Sequence, residues 1–241
     1  MLHKTIGIVL HTQIYSDTSL IVKLFTKHFG LQSYIINGVR NKKSKTKATL
    51  FQPLSIVDME VSHSGKAGLQ RLNELNSHIP FSSIQTSITK SSIVLFLNEI
   101  LYKSIKEAHT DDDLFEFIKN SLLILDLKTE SCSNFHIYFM IHLSKFLGFY
   151  PHGKFIDNTS FFDLQEGCFV NQLPKHTHYI DTEESKLLFL FINVGYETIQ
   201  TIKLAKANRA QLLKSLLVFY RLHITGFGEI KSLEILEEVI G

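Results

Sequence analysis

The sequence predicts an α+β fold in which the strands come first and the helices follow. Apolar residues alternate with a period of two in residues 1–80, as at Ile6, Ile8 and Leu10, whereas residues 81–241 show helical spacing. The net charge changes at the same point, from +6 (ten Lys/Arg, four Asp/Glu) to −4 (fifteen Lys/Arg, nineteen Asp/Glu). The change of period predicts two domains with a boundary after residue 80, and the charge asymmetry suggests that the first of them meets a polyanion.

The first domain is predicted to be a small β-barrel. Its strand-like runs are rich in β-branched and aromatic residues and are separated by turn signals such as Ser16-Asp17-Thr18 and Asn37-Gly38. Five short strands in about 75 residues have the size and strand number of an OB-fold. The period alone does not distinguish an OB-fold from an SH3-like barrel, so both interpretations stay open at this point. The predicted runs cover residues 6–11, 20–25, 31–37, 57–62 and 71–75.

The second domain is predicted to be helical, with an irregular insertion at about residues 149–180. Acidic residues at Asp111–Asp113 favour a helix N-terminus there, and Asp181 with Glu184 resembles a capping box. Within the insertion, residues 161–170 indicate a short hairpin. Apolar spacing predicts helices over residues 93–105, 114–125, 135–146, 187–194 and 212–220.

A basic run follows the third predicted strand. It places five cations in eight residues with no acid among them: Arg40, Lys42, Lys43, Lys45 and Lys47. Because like charges repel one another, such a run favours an exposed loop. A cationic loop that rises from a sheet suits a phosphate backbone. The alternative interpretation is a lysine-rich loop whose only role is to be solvated.

A second basic surface is predicted on the last long helix. Between residues 198 and 223 there are cations and no acid. Three interpretations stay open: the solvated face of an amphipathic helix, an extension of a DNA track, or a surface that receives an acidic peptide. The cations concerned are Lys203, Lys206, Arg209, Lys214 and Arg221.

No local motif indicates catalysis, because the chain has neither a nucleophile elbow nor a metalloprotease helix. A mixed metal site is the alternative, since four potential ligands lie within 27 residues. No Cys-x-x-Cys pair accompanies them, so surface histidines and a buried thiol are the competing interpretation. The four potential ligands are His152, Cys168, His176 and His178.

The composition favours the reducing cytoplasm. Cys132 and Cys168 are too few for a disulfide framework. The opening apolar run of about five residues is too short for a signal peptide. The later apolar run Leu187–Ile192 has six residues, far fewer than the roughly 20 that span a bilayer. We therefore expect a cytoplasmic protein without a membrane partner.

Several motifs together resemble the RecO family of bacterial recombination mediators. Residues 7–26, Gly-Ile-Val-Leu-His-Thr-Gln-Ile-Tyr-Ser-Asp-Thr-Ser-Leu-Ile-Val-Lys-Leu-Phe-Thr, and the later Asn-Gly-Val-Arg of residues 37–40 resemble its N-terminal domain. Phe-Leu-Gly-Phe-Tyr-Pro at residues 146–151 resembles the helix end before its zinc-ribbon-like insertion. Tyr-Arg-Leu-His-Ile at residues 220–224 and the segment 227–236 resemble its C-terminal part. The likeness covers nearly the whole chain.

The resemblance implies an N-terminal OB-fold, a helical C-terminal domain and no enzymatic reaction. It implies binding of single- and double-stranded DNA, annealing of complementary strands, and loading of RecA onto strands coated by the single-stranded-DNA-binding protein SSB. The implied partners are RecR and the acidic C-terminal tail of SSB, with RecA and RecF involved indirectly.

The insertion departs from the family pattern. Many relatives carry four cysteines there, but this chain keeps only Cys168, so a degenerate zinc-ribbon-like insertion without metal or other cofactor is expected. Packing must then hold the insertion together. The aromatic residues expected to do so are Phe155, Phe161, Phe162 and Phe169.

The resulting hypothesis is that the barrel binds DNA backbones through the basic run, independently of the nucleotide sequence. Tyr15 and Tyr34 are candidates for stacking on bases, although Tyr34 is equally compatible with the core. Lys23, Lys27 and Arg71 are further candidate backbone contacts. Two alternatives remain: a protein-interaction scaffold whose basic surfaces bind acidic peptides, and a metalloenzyme built on the His/Cys cluster.

Overall fold

The computed structural model describes residues 2–39, 48–62, 68–106, 109–129 and 131–240. They form two compact units: residues 1–86 with 97–126, and residues 87–96 with 127–241. The first unit therefore includes helical residues as well as the strands. The predicted domain boundary after residue 80 stays a prediction.

The N-terminal strands close into a five-stranded barrel with the order β1-β2-β3-β5-β4, in which β4 returns to β1. Strands β3 and β5 pair in parallel, and every other neighbouring pair is antiparallel. This topology is that of an OB-fold, so the choice left open by the sequence is resolved and the five predicted strands are confirmed. The strands are β1 (Leu2–Ile14), β2 (Leu20–Thr26), β3 (Gly30–Ile36), β4 (Ile56–Ser62) and β5 (Leu69–Ser77).

Alternate residues of each strand fill the barrel interior. Val22 and Leu24 of β2 and Met59 of β4 are buried there. At Gly7 a Cβ atom would lie 2.8 Å from the Met59 sulfur, so a larger residue there would displace the flexible Met59 side chain in the barrel core. Tyr34 of β3 is fully buried in the same core. It is therefore a core residue, and stacking of its ring on a base is excluded.

Among the described residues, two α-helices lie partly in the first unit: α1 (Ile88–Ser104) and α2 (Asp112–Leu127). Asn98 of α1 donates from Nδ2 to the Leu10 carbonyl at 3.0 Å. Phe115 of α2 packs on Phe25 of β2, with ring centroids 5.9 Å apart. The Asp111 carboxylate accepts the Leu114 N–H at 2.8 Å, which confirms the predicted acidic beginning of α2.

A buried carboxylate anchors the chain between β5 and α1. Asp126 accepts the N–H groups of Ser82, Ser83 and Ile84 at 2.8–2.9 Å, and the Ser82 hydroxyl at 2.9 Å. Burial alone would raise the pKa of Asp126, but these donors outweigh it and lower that pKa to about 2. The charge of Asp126 therefore stabilises the fold.

The second unit combines helices with a small sheet of order β6-β8-β7-β9. Asp181 caps α4 by accepting the Glu184 N–H at 2.9 Å, and Tyr220 of α5 donates to the Met140 carbonyl of α3 at 2.6 Å. Strands β7 and β8 confirm the predicted hairpin. The remaining elements are α3 (Phe135–Phe146), β6 (His152–Gly153), β7 (Phe161–Asp163), β8 (Cys168–Val170), β9 (Tyr179–Ile180), α4 (Thr182–Asn193), α5 (Lys206–His223) and α6 (Leu233–Ile240).

Aromatic packing holds the insertion together, as expected. Phe169 contacts Phe162 and Phe155, with ring centroids 5.0 and 5.4 Å apart. Phe155 also stacks on Phe189 of α4 at 4.4 Å, and Phe161 meets Tyr179 edge to face at 5.9 Å. These contacts involve all four of the aromatic residues expected to hold the insertion together.

Two of the four candidate metal ligands of the insertion, His176 and His178, have other partners. His176 Nε2 lies 3.0 Å from Asp163 Oδ2, and Gln165 Nε2 donates to His178 Nδ1 at 3.0 Å. Among the described residues, no group of three or more His, Cys, Asp or Glu side chains is placed to hold a metal ion. In the same ranges, no helix is long and apolar enough to cross a membrane.

Candidate nucleic-acid interface

One described stretch of the chain ends at Val39, immediately before the predicted basic run. Its cations, Arg40, Lys42, Lys43, Lys45 and Lys47, lie outside the described residues. The chain that leads to them leaves β3 through Asn37 and Gly38, and Gly38 has a φ of 77° that favours glycine. The Ser19 hydroxyl donates to Asn37 Oδ1 at 2.8 Å. This bond joins Asn37, three positions before Arg40, to the turn between β1 and β2.

That β1–β2 turn presents apolar and aromatic groups to solvent. The N–H groups of Tyr15 and Ser16 both donate to the Ser19 carbonyl, at 3.1 and 3.3 Å, which shapes the turn. The side chains of Ile14 and Tyr15 are each 62% exposed. An exposed aromatic ring is suited to binding single strands, because any base can stack on it.

The outward face of β2 and β3 lies next to this turn. Lys23 is paired with Ser33, and Ile21 with Ile35. Ile35 is in turn paired with Arg71 of β5, whose side chain is exposed. These residues face outward because the residues between them fill the core. In OB-folds, this face and the β1–β2 turn bind oligonucleotides.

Lys23 belongs to a cluster with two rings. Its Nζ lies 5.1 Å from the centroid of the Tyr102 ring of α1. The imidazole of His11, the β1 partner of Lys23, stacks on the same ring at 4.9 Å. The cation–π contact orients the ammonium group while leaving its charge available to a phosphate. The His11/Lys23/Tyr102 cluster therefore offers both a cation and aromatic surface.

Lys27 differs from Lys23 in its position along β2 and in the charges that surround it. It follows β2 at the end opposite the β1–β2 turn, about 20 Å away for a seven-residue strand. Its Nζ forms an ion pair with Glu116 Oε1 at 3.0 Å, and the hydrogen bond and charge of Glu116 raise the pKa of Lys27. Lys27 also lines a pocket of about 430 Å³ that includes Glu60 and Glu74. Its surroundings are of mixed charge and less suited to a polyanion.

The second basic surface divides into exposed and anchored cations. Arg209 is anchored, because its guanidinium donates to Asn134 Oδ1 at 3.1 Å and to the carbonyls of Leu204 and Ile240 at 3.2 Å each. It lines a pocket of about 410 Å³. Lys128 and Lys203 line that pocket too and give it a basic character. The exposed cations of α5 and its approach are Lys203, Lys206, Lys214 and Arg221.

Sequence reasoning did not identify His11, Tyr102 and Ile14 as part of this surface. The outward position of His11 depends on an irregularity in the β1–β2 register between Val9 and His11. Such a bulge reverses the face on which later residues lie, and alternation alone does not reveal it. Tyr102 lies 79 positions after Lys23 in the chain, so only the tertiary fold brings the two together.

Comparison with known proteins covers both units. The family model described as "Recombination protein O N terminal" matches residues 1–81, and "Recombination protein O C terminal" matches residues 85–234. The chain is 37% identical over 239 residues to DNA repair protein RecO of Phocaeicola vulgatus, covering 99% of each chain. Its identity to DNA repair protein RecO is 38% over 240 residues for Bacteroides fragilis and 39% over 240 residues for Flavobacterium psychrophilum, covering 99% and 98% of each chain.

Proposed function

The chain belongs to the RecO family of DNA repair proteins, and on this premise we propose that it is a non-enzymatic recombination mediator. It binds DNA, anneals complementary single strands, and helps load RecA onto SSB-coated single-stranded DNA in the RecFOR pathway. One observation supports the DNA-binding part: the exposed Tyr15, the His11/Lys23/Tyr102 cluster and Asn37, which precedes the basic run by three positions, belong to one OB-fold barrel.

The role proposed for each group of residues follows from its charge and its exposure. The five cations of the basic run contact phosphates, and Lys23 and Arg71 extend that contact along the barrel face. Tyr15 stacks on a base and keeps the strand open for pairing. Annealing requires two polyanions to approach each other, and cations that neutralise phosphates reduce their repulsion. No proton transfer or covalent step is needed for this.

The basic pocket around Arg209 is the proposed receptor for the acidic tail of SSB. Lys128 and Lys203 line it and supply the proposed contacts, whereas Arg209, whose guanidinium is held by its own chain, adds only its positive charge to the wall. The pocket of about 410 Å³ accommodates one or two side chains of a peptide. Charge reversal at both lysines is expected to weaken binding of a tail peptide while leaving the affinity for naked DNA unchanged. RecR remains a partner that the family membership suggests.

The central experiment measures DNA affinity against salt. Five phosphate contacts on a single strand correspond to a slope of log K against log [salt] of about −3.5. Replacing Arg40, Lys42, Lys43, Lys45 and Lys47 with glutamine is expected to remove most of that slope and to abolish annealing of SSB-coated strands.

A matched control removes five positive charges from exposed positions elsewhere: Lys145, Lys154, Lys175, Lys214 and Lys231. This variant has the same net charge as the first and is expected to retain most of the slope. Normal annealing by the variant that carries five glutamines in the basic run would refute the proposed role of that run. Absence of DNA binding by the unmodified protein at low salt would favour the protein-interaction scaffold instead.

A further inference from the structure

The outward face of the barrel carries an aliphatic pair at its centre. Ile21 of β2 and Ile35 of β3 are direct cross-strand partners, and both side chains are half-buried. Gln13 of β1 is the other partner of Ile21. Arg71 of β5 is the other partner of Ile35, and both Gln13 and Arg71 are exposed. This row crosses four neighbouring strands and is apolar in its middle and polar at its ends.

The Ile21/Ile35 pair lies among the groups proposed to bind DNA. Lys23 follows Ile21 by two positions, so both side chains project from the same face of β2. Tyr15 lies at the turn beyond the end of β1, and Arg71 lies on β5 at the far side of the row. Four strands span about 14 Å, because adjacent strands are about 4.8 Å apart. A single strand that contacts both Tyr15 and Arg71 by the short route therefore passes over the pair.

The chemistry of the pair determines how firmly it holds a base. Stacking of a base on an aromatic ring tightens binding by a factor of roughly 5 to 150. Isoleucine has no π face, so a base that rests on Ile21 or Ile35 gains only from the burial of apolar surface. The centre of this face therefore holds bases less firmly than a platform of aromatic rings does.

Weak contact with bases favours annealing. A base must leave the protein before it pairs with its complement, so each contact that holds the base slows the exchange. Contacts with phosphates do not compete with pairing, because the phosphates stay on the outside of the new duplex. Cations at the edges of the face and aliphatic groups at its centre are thus suited to holding a strand by its backbone while its bases exchange.

We propose that the Ile21/Ile35 pair is an aliphatic base platform, which positions a single strand on the barrel and releases its bases rapidly to a complementary strand. The proposal rests on the DNA binding and annealing proposed above and adds the residues that set the exchange of bases. The ring of Tyr15 anchors the strand at the β1–β2 turn. The bases that follow rest on the pair and exchange freely.

Ile35→Tyr tests the proposal by placing a ring on the platform. Fluorescence anisotropy with a labelled oligothymidine is expected to show about tenfold tighter binding. The annealing rate of complementary strands at saturating protein is expected to fall by a similar factor. An Ile35→Tyr variant that binds no more tightly, or that anneals as fast as the unmodified protein, overturns the proposal.

Asn76→Tyr is the matched control. Asn76 is exposed on β5 and is paired with Asp58 of β4, so it lies outside the row that contains the platform. The added ring is therefore expected to change neither the affinity nor the annealing rate. Equal effects of Asn76→Tyr and Ile35→Tyr would show that position on the barrel does not matter and would overturn the proposal.

The unmodified protein provides a test that does not depend on the folding of a variant. Titration with oligothymidine is expected to shift the methyl NMR resonances of Ile21 and Ile35. An abasic strand of the same length and charge is expected to shift them much less, because it lacks the groups that rest on the platform. Equal shifts with the two strands, or no shift with oligothymidine, overturn the proposal.

The same experiments separate this proposal from the proposed function. If the unmodified protein does not bind oligothymidine at low salt, the proposed DNA binding is refuted and the base platform with it. If the unmodified protein binds and anneals DNA and Ile35→Tyr changes neither property, the base platform alone is refuted.

Discussion

The barrel face around Lys23 and the beginning of α5 around Arg209 hold their cations in opposite ways. Lys23 lies over the Tyr102 ring, which orients its ammonium group without neutralising it. Arg209 donates to three oxygen acceptors of its own chain, so its guanidinium serves the fold. Both residues were candidates for a basic surface by charge alone. The difference shows that the partners of a cation, and not its charge, decide whether it is free to bind a ligand.

Arg209→Ala is expected to have the largest effect on stability. It leaves the acceptors of Asn134, Leu204 and Ile240 without their donor, and we expect a loss of about 3 kcal/mol in the free energy of unfolding. Denaturant titration measures this, with Arg221→Ala as the exposed control, expected to change it by less than about 0.5 kcal/mol. Unchanged stability of the Arg209→Ala variant would contradict the conclusion that Arg209, unlike Lys23, serves the fold.

Asp126 tests, with a negative charge, whether a charged group that is held by its own chain stabilises the fold. Its pKa of about 2 in the folded protein lies below the ordinary value of about 3.9, so the ionised form stabilises the fold above pH 4. We expect about 2 kcal/mol of stability to be lost as the pH falls from about 4 to 2. The Asp126→Asn variant should be less stable at pH 7 and should lack this part of the acid dependence. Unfolding curves at several pH values measure both effects.

Tyr15→Ala is expected to weaken single-strand binding without a cost in stability. The loss of one stacked base corresponds to about 1–2 kcal/mol, or roughly a tenfold lower affinity. Tyr15→Phe keeps the ring and should bind as the unmodified protein does. Fluorescence anisotropy with a labelled oligonucleotide measures the affinity. A Tyr15→Ala variant that binds normally would remove the β1–β2 turn from the interface.

Lys23→Gln should have the smallest of these effects. One phosphate contact fewer reduces the magnitude of the salt slope by about 0.7, while the free energy of unfolding changes by less than about 0.5 kcal/mol. Lys27→Gln is the matched comparison, because Lys27 is already paired with Glu116. We expect it to leave the slope unchanged. A larger slope change for Lys27 than for Lys23 would reverse the assignment of the binding face.

Sequence reasoning identified some residues of the candidate site and missed others. Charge density singled out the basic run, and exposure of Tyr15 agrees with the turn signal that follows it. Tyr34 has the same chemistry as Tyr15 but fills the core, since it lies on the inward face of β3. Residue type does not distinguish these two tyrosines. The register and closure of the barrel do.

The sequence by itself determined the features that depend on neighbours a few positions apart. These include the five strands, the acidic beginning of α2, the Asp181 cap of α4 and the hairpin of residues 161–170. Periodicity and capping are local, so a short stretch of chain specifies them.

Only the tertiary structure decided the parallel pairing of β3 with β5, which makes the barrel an OB-fold, and the meeting of Lys23 with Tyr102. The same holds for Arg209, whose acceptors include Asn134, 75 positions away in the chain. The physical reason is that such contacts depend on how distant segments close on one another. That closure depends on the packing of the whole unit, and the spacing of residue types within one segment does not reveal it.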